Sequence, residues 1–371
     1  LITHHFDIGQ AEDAFEMVLE KSEPHMGVML TYPETITENP KQFPASSVTP
    51  GGCVLGVIGA GNFARAVLLP ELKKMSGVAL HTIATKRGAS SDHAQDTFGF
   101  AHAATDEAAV LDNPDINAVL IATRHDSHAE LTARALKAEK SVLVEKPLGL
   151  SRDEIAAVQD ARETSSGFFQ IGFNRRFAPL AQQASAALSK IEGPRFMVFR
   201  VNAGTIPGDS WIQNMEEGGG RIIGEMCHFV DLARSFAGGR IISVQADAAQ
   251  NTTGSADDIT ALLRFENGSL ATIAYTSLGD AAFPKERFEI FAGGSVINLD
   301  NFRNLSITSN GSTKNHSGSG QDKGFEKSLA AFVGAVTSGG PAPINENDLV
   351  ESSLATLAVL DSLRSGSRID L

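Results

Sequence analysis

The chain has 371 residues, which at about 150 residues per domain is enough for two to three domains. Hydrophobic residues make up 42% and charged residues 20%, the balance of globular domains rather than of a disordered segment. The net charge of −13 argues against sequence-independent nucleic-acid binding, two cysteines exclude a disulfide framework or a cysteine-based zinc site, and no apolar run approaches the ~18 residues of a membrane span.

Residue 1 is Leu, which reads as a processed start or a piece of a longer chain, and with no cationic and apolar leader in view a reducing cytoplasm is expected. Gly9 precedes Ala11, Ala14, Phe15, Val18 and Leu19, whose spacing predicts one short helix, and Gly27–Leu30 predicts a short strand. Over residues 1–34 this tail (Leu1-Ile-Thr-His-His-Phe6, then Ala11-Glu-Asp-Ala-Phe15) resembles the carboxyl end of a medium-chain, zinc-type alcohol dehydrogenase domain, without zinc ligands or catalytic groups. Residues 35–52, with Pro40, Pro44, Pro50 and Gly51-Gly52, read as a linker that completes a first segment of residues 1–52. A disordered leader fits the same residues.

From residue 53 the pattern alternates. Cys53–Ile58 is a short apolar run with β-branched residues, as a strand buried on both faces requires. It leads into Gly59-Ala60-Gly61-Asn62-Phe63-Ala64 and a helical stretch through Leu72. Gly59 permits the tight turn, Gly61 lets backbone approach a pyrophosphate, and Ala64 allows close helix–strand packing. The helix start, with Asn62 and Phe63, offers N–H groups and a positive dipole end to the anion. Val78–Thr85 follows as a strand, Ser90–Phe98 as a helix, Ala118–Thr123 as a strand and Ser127–Ala138 as a helix with Ser127 and Glu130 as a capping pair. Ser141–Val144 is a strand, Ser151–Thr164 a helix capped by Ser151 and Glu154, and Phe168–Phe173 a strand. This alternation predicts an α/β fold, a Rossmann-type doubly wound parallel sheet over residues 53–173, with ligands beyond the carboxyl ends of its strands. Thr85, then Thr123, Arg124, His125 and His128, then Glu145 and Pro147 stand at or just after such ends and complete the cofactor-binding set. An NAD site commonly has a carboxylate after the second strand, and here Lys86 and Arg87 follow Thr85 instead. Two cations and a hydroxyl suit a 2′-phosphate, which favours NADP over NAD, unless Lys86 and Arg87 are simply solvated loop charges.

In residues 174–371, Arg195–Val201 and Ile241–Ala246 read as strands. Ile259–Phe265 and Ser269–Thr276 flank Asn267-Gly268, and Phe288–Ala292 and Ser295–Leu299 flank Gly293-Gly294, dipeptides suited to tight hairpins. The expectation is an α+β domain with a largely antiparallel open sheet, covered on one face by helices that include Phe325–Val336 and Asp348–Arg364. Its other face must be solvated or paired. Ser309–Gly320 is polar and reads as a loop.

Glu145-Lys146-Pro147 closes a strand where a bound nicotinamide would lie. Lysine in a partly dehydrated site loses its proton more readily and acts as an acid/base, although the tripeptide alone fits a surface loop equally well. Further on, Gly218-Gly219-Gly220 opens a helix running through Arg221–Leu232, and bare backbone there suits a flat ligand. On that helix Glu225 and His228 are three apart and share a face, as do His228 and Asp231. A histidine with a carboxylate neighbour is a way to hold a general acid/base in one tautomer; a structural histidine fits as well. His228 and Glu225 lack a second histidine at ligand spacing, so no metal is expected, and Cys227 reads as a small buried apolar residue.

In order along the chain, Gly59-Ala60-Gly61-Asn62-Phe63-Ala64, Glu145-Lys146-Pro147-Leu148, Gly172-Phe173-Asn174-Arg175-Arg176-Phe177, and Gly218-Gly219-Gly220 with His228 and Asp231 resemble the motifs of the glucose–fructose oxidoreductase and inositol dehydrogenase (Gfo/Idh/MocA) family. With its tail, the chain resembles the back portion of a medium-chain dehydrogenase fused to such a module. The resemblance implies that Lys146 is the active-site lysine, that Glu145 lies near the nicotinamide ribose and that His228 meets the substrate hydroxyl. Arg175, Arg176, Trp211 and Asp231 are candidate substrate residues on the same ground. It implies a small-molecule sugar substrate and a homodimer or homotetramer through the second sheet. Many members carry Asp four residues before the histidine; here that position is Gly224, so either Glu225 supplies the carboxylate or His228 works without one. The expected activity is hydride transfer between NAD(P) and a hydroxyl-bearing carbon of a sugar. A glycosidase that uses held NAD for transient oxidation is an alternative, and a non-catalytic dinucleotide-binding regulator ranks last because Lys146 is present.

Overall fold

The computed structural model describes residues 2–31, 51–249 and 257–371, so most of the expected linker lies outside the described residues. The first of two units, Leu1–Lys41, pairs β1 (His4–Asp7) with β2 (Val28–Thr31) in parallel across α1 (Ala11–Glu20). A parallel pair needs a crossover, and the predicted helix supplies it. Its inward face is Ala14 and Met17, while Phe15 and Leu19 of the predicted stripe stay 63% and 78% exposed.

The second unit, Gln42–Leu371, begins with β3 (Cys53–Ile58). The helix that follows opens with a wide π turn over Ala64–Leu68 and continues as α2 (Leu69–Lys74). Pro70 explains the widening, since it has no N–H for the helical ladder and its ring crowds the preceding turn. Then come β4 (Val78–Ala84), α3 (Gly88–Phe98), β5 (His102–Ala104), α4 (Ala108–Leu111), β6 (Ala118–Ile121), α5 (His128–Lys137), β7 (Ser141–Val144), α6 (Arg152–Glu163) and β8 (Phe169–Ile171). These strands form one parallel sheet in the order β5-β4-β3-β6-β7-β8. The order reverses between β3 and β6, and that switch point is where such sheets bind ligands. β5 and α4, three and four residues long, are too short to show a periodic pattern in the sequence. Ser151 caps α6 as expected, accepting from the Glu154 amide at 3.2 Å. Ser127 does not cap α5; its hydroxyl donates instead to Thr123 Oγ1 and the Arg124 carbonyl.

The remainder runs α7 (Pro179–Leu188), β9 (Phe196–Asn202), α8 (Cys227–Ala237), β10 (Ile241–Ala248), β11 (Ile259–Phe265), β12 (Leu270–Thr276), β13 (Glu286–Ala292), β14 (Ser295–Asp300), β15 (Asn304–Ser309), β16 (Ser312–Ser317), α9 (Phe325–Ser338), α10 (Glu346–Ser365) and β17 (Ile369–Asp370). Nine strands form one sheet, antiparallel throughout except where β9 meets β12. One face packs Phe199, Ile273, Phe288 and Ile290 against α7, α8 and α10. The other leaves Phe196 and Phe291 51% and 42% exposed.

Two expectations change here. Ser309–Gly320 is not simply a loop: Asn310 and Gly311, both at positive φ, turn β15 into β16 along the sheet edge. The segment looked like a loop because every residue of β16 is exposed, so no hydrophobic alternation marks it. The second change is α9, which covers the parallel sheet rather than the open one. Leu329, Phe332 and Val336 pack with Leu55, Val57 and Phe168, and Phe332 meets Phe168 edge-on at 5.6 Å. α10 serves both layers, sending Leu349 and Leu357 to the parallel sheet's core and Ala358 and Val359 to the other. Among the described residues, no helix is long and apolar enough to cross a membrane.

Candidate active site

A cleft of about 1580 Å³ opens beyond the carboxyl ends of β3, β4, β6 and β7. Pockets for one small molecule run to roughly 300–1,000 Å³, so there is room for a dinucleotide and a second ligand together. Gly59 sits at φ +95°, and a Cβ on it would stand 2.5 Å from the Ala122 carbonyl oxygen, so the residue is glycine because β3 and β6 converge there. Gly61 differs: nothing lies within 4 Å of the side chain it lacks, and with Asn62 and Phe63 it lines the cleft. Ala64 is buried behind them. That bare turn before a helix fits a pyrophosphate. Thr85, Lys86 and Arg87 line the cleft at the end of β4. Lys86 and Arg87 are exposed and make no ion pair among the described residues.

The turn after β6 carries the histidines. Burial pushes His128 down to about 4, so the ring is neutral with one N–H, and the 2.7 Å contact from Nδ1 to the Pro147 carbonyl takes it. His128 thereby holds the turn that bears Lys146. His125 is also neutral, lowered to about 3 by burial and then by Lys146. Its Nδ1 donates to the Gly218 carbonyl at 2.7 Å, which leaves Nε2 as an acceptor. The ring packs edge-on to Trp211 at 4.7 Å. Arg124 pairs with Glu217 and lies over Trp211 at 5.6 Å, so this turn and the 211–218 segment are stitched together.

At the end of β7, burial pushes Glu145 up to about 7 against the opposing pull of Lys146. Its carboxylate lies over Gly172, where a Cβ would stand 2.8 Å from Oε1. The Lys146 ammonium donates to the Gly224 carbonyl at 2.6 Å, whereas Pro147, expected among the cofactor residues, does not line the cleft. His228 faces the same cleft, 7% exposed, its Nδ1 buried with no hydrogen-bond partner among the described residues. Burial, then Arg175 and Lys146, hold its pKa well below the ordinary value. Neutral nitrogens and a tethered ammonium around one space are the means to move a hydroxyl proton.

Comparison with known proteins agrees with this geometry. A family model described as an oxidoreductase family with an NAD-binding Rossmann fold matches residues 54–173, and the family's C-terminal domain matches residues 193–294. The chain belongs to the Gfo/Idh/MocA oxidoreductases. Myo-inositol 2-dehydrogenase of Thermotoga maritima is 25% identical over 68% of this chain and 77% of its own. The 1,5-anhydro-D-fructose reductase of Ensifer adhaerens is 24% identical over 85% and 98%. A solved levoglucosan dehydrogenase, in complex with NADH and levoglucosan, superposes at a TM-score of 0.76 with 21% identity, covering 86% of this chain and 99% of that one.

Within this Gfo/Idh/MocA chain several sequence expectations are corrected. Glu225 is not turned toward His228. Residues Ile222–Met226 form a π turn, which breaks the i,i+3 relation, and Glu225 instead binds Lys285, Arg221 at 3.0 Å and the Tyr275 hydroxyl at 2.5 Å. Burial alone would raise its pKa, but Lys285 and these bonds outweigh that and hold it at about 2. Gly224 leaves space that the His125 ring fills: a Cβ there would stand 2.9 Å from His125 Cε1. Asp231 and Arg176 do not line the cleft; they bind each other twice, at 2.7 and 2.8 Å, in the interior. The three glycines pack rather than wait for a ligand, Gly218 against the backbone of Trp211–Ile212 and Gly219 against Leu150. Trp211 and Arg175 do line the cleft, Arg175 bound to Glu286 at 2.7 Å. Sequence reasoning missed Lys285, Lys323 and Arg221, which also line it; the two lysines sit in loops without a motif, and Arg221 stood inside a quoted motif without a role.

Proposed function

We propose that this chain transfers hydride between a nicotinamide dinucleotide and a hydroxyl-bearing carbon of a sugar or sugar derivative. The observation that carries the reading is Lys146, fixed by its bond to Gly224 in one cleft with His228 and with the Gly59–Ala64 turn. The bound nicotinamide supplies the hydride site. Lys146 holds the substrate hydroxyl and, with His228, moves its proton; Glu145 flanks the ribose; His128 and Pro147 fix the lysine's position; Trp211 and Arg175 bound the substrate. Glu225 acts through the cations it holds. Relatives named for inositol and anhydrofructose support a polyhydroxylated substrate.

Lys86 and Arg87, exposed and in no ion pair among the described residues, favour NADP over NAD as the dinucleotide. We read residues 53–173 as the dinucleotide-binding domain and 174–371 as the substrate domain, with residues 1–52 as the end of a preceding medium-chain dehydrogenase domain and a linker. The outer face of the nine-stranded sheet, with Phe196 and Phe291 exposed, supports a homodimer or homotetramer. Two free, buried thiols, Cys53 and Cys227, are compatible with the cytoplasm. The decisive test is Lys146→Met. Turnover should fall by about 10²–10⁴, the range of general acid–base catalysis, while the affinities for NADH and NADPH, measured side by side, stay within about threefold. A variant that keeps near-normal turnover would sink the mechanism.

A further inference from the structure

The substrate end of the cleft is crowded with positive charge. Lys146, Arg175, Arg221, Lys285 and Lys323 all line it. Few carboxylates answer them. Glu286 is shared between Arg175 at 2.7 Å and Lys323 at 3.0 Å, and Glu225 between Lys285 and Arg221. Asp257 stands 3.9 Å from Arg221. Lys146 donates to a carbonyl rather than a carboxylate, and its neighbour Glu145, at about 7, offsets only part of a charge.

Five cations therefore face three full carboxylates among the described residues. The strongest charges acting on His228 are all positive: Arg175, Lys146, Lys323 and Lys285. Lys323 itself is pushed below the ordinary lysine range by burial, with Arg175 and Lys285 adding to that push and Glu286 opposing it. In addition, the Arg175 Nε is buried with no hydrogen-bond partner among the described residues. Uncompensated charge away from water is costly unless something neutralises it. The excess is also local, because the chain as a whole carries −13. A neutral hexose or inositol would leave the excess standing.

We propose that the substrate is an anionic sugar derivative, whose carboxylate or phosphate is received by the cluster of Arg175, Lys285 and Lys323 beside His228. This rests on the hydride-transfer reading and names the substrate class of that same site. The anion would complete the charge balance, and the cluster would draw it into a cleft that the overall field otherwise disfavours. Selectivity against neutral sugars follows, since without the anion the excess positive charge of the shared pairs stays uncompensated.

The test is calorimetric titration of the protein, loaded with whichever of NADH and NADPH binds it more tightly, with D-glucuronate, D-galacturonate and D-glucose 6-phosphate, each beside its neutral parent sugar. At least one anionic member should bind about tenfold or more tightly than its parent, a difference of ~1.4 kcal/mol. Raised salt should shrink the preference, and both Lys323→Met and Lys285→Met should reduce it at least threefold. Whether the uronates or the phosphate lead identifies the anion's source. A preference that is absent, because both members bind alike or neither binds, overturns the proposal, as does one that both variants leave intact. Oxidation of neutral sugars alone, abolished by Lys146→Met, would overturn it while leaving the hydride-transfer reading standing.

Discussion

The assignment of Asp231 to the interior is open to a direct experiment. Its carboxylate is fully buried and takes both arms of Arg176, with Ser352 donating at 3.4 Å. Asp231→Asn keeps the shape and removes the charge, leaving Arg176 with Asp348 at 3.5 Å, which is itself engaged by Arg234 at 2.7 Å. Breaking one side of a buried pair costs about 3–5 kcal/mol, and the remaining Asp348 partner places this case near ~3 kcal/mol. Against a total stability of about 5–15 kcal/mol that is a large share, and in a unit of this size it corresponds to a fall in melting temperature on the order of 4 °C. Thermal melts followed by circular dichroism, with steady-state kinetics on the folded variant below its transition, make the measurement. Stability should fall while KM for the sugar stays within about twofold. An unchanged melt together with a KM raised tenfold would refute the reasoning and return Asp231 to the substrate.

Two further outcomes follow from the site. In Gly224→Ala, the new Cβ would press 2.9 Å from the His125 ring, which is tethered to Gly218 and packed on Trp211. The cost should be about 2–3 kcal/mol, combining overpacking with a weakened hydrogen bond, and urea unfolding of Gly224→Ala with and without His125→Ala should show strong non-additivity; additive losses would mean the ring is not the obstacle. Glu145 gives a pH signature. Its folded pKa is raised from the ordinary 4.5 to about 7, so the folded state binds the proton more tightly; its stabilising contribution is complete below 4.5 and is lost as pH rises toward 7. The stability of Glu145→Gln relative to the parent should therefore increase between those values, and a difference flat with pH in urea titrations would count against the burial.

Most of the parallel sheet was legible because β3, β4, β6, β7 and β8 hold short apolar runs and Ser151 marks the start of α6, both local properties. Lys146 and the Gly59 turn were legible for the same reason, since each stands directly at a strand end. What failed was whatever depended on partners distant in sequence. Glu225 looked like a companion to His228 because helical spacing put it there, and only a π turn and three partners, Lys285, Arg221 and Tyr275, take it away. Asp231 shares a helical face with His228, but Arg176 sits 55 residues upstream of it. Gly218 to Gly220 looked open because nothing nearby in sequence reveals that Trp211, Ile212 and Leu150 occupy the space. The cationic cluster gathers Lys146 after β7, Arg175 in the 174–177 turn, Arg221 just before the Ile222–Met226 π turn and two loop lysines, and no linear pattern announces it.

The position of α9 has a consequence for biosynthesis. Phe332 and Leu329 complete the core around Phe168, yet they are made long after residue 173 has emerged. At about 5–20 residues per second, the interval is on the order of ten to thirty seconds. Through that time the nascent nucleotide half exposes part of one sheet face, so its folding finishes only after most of the second sheet has been translated. A chain stopped before residue 325 would leave part of one face of the parallel sheet uncovered, not merely lack the end of the protein.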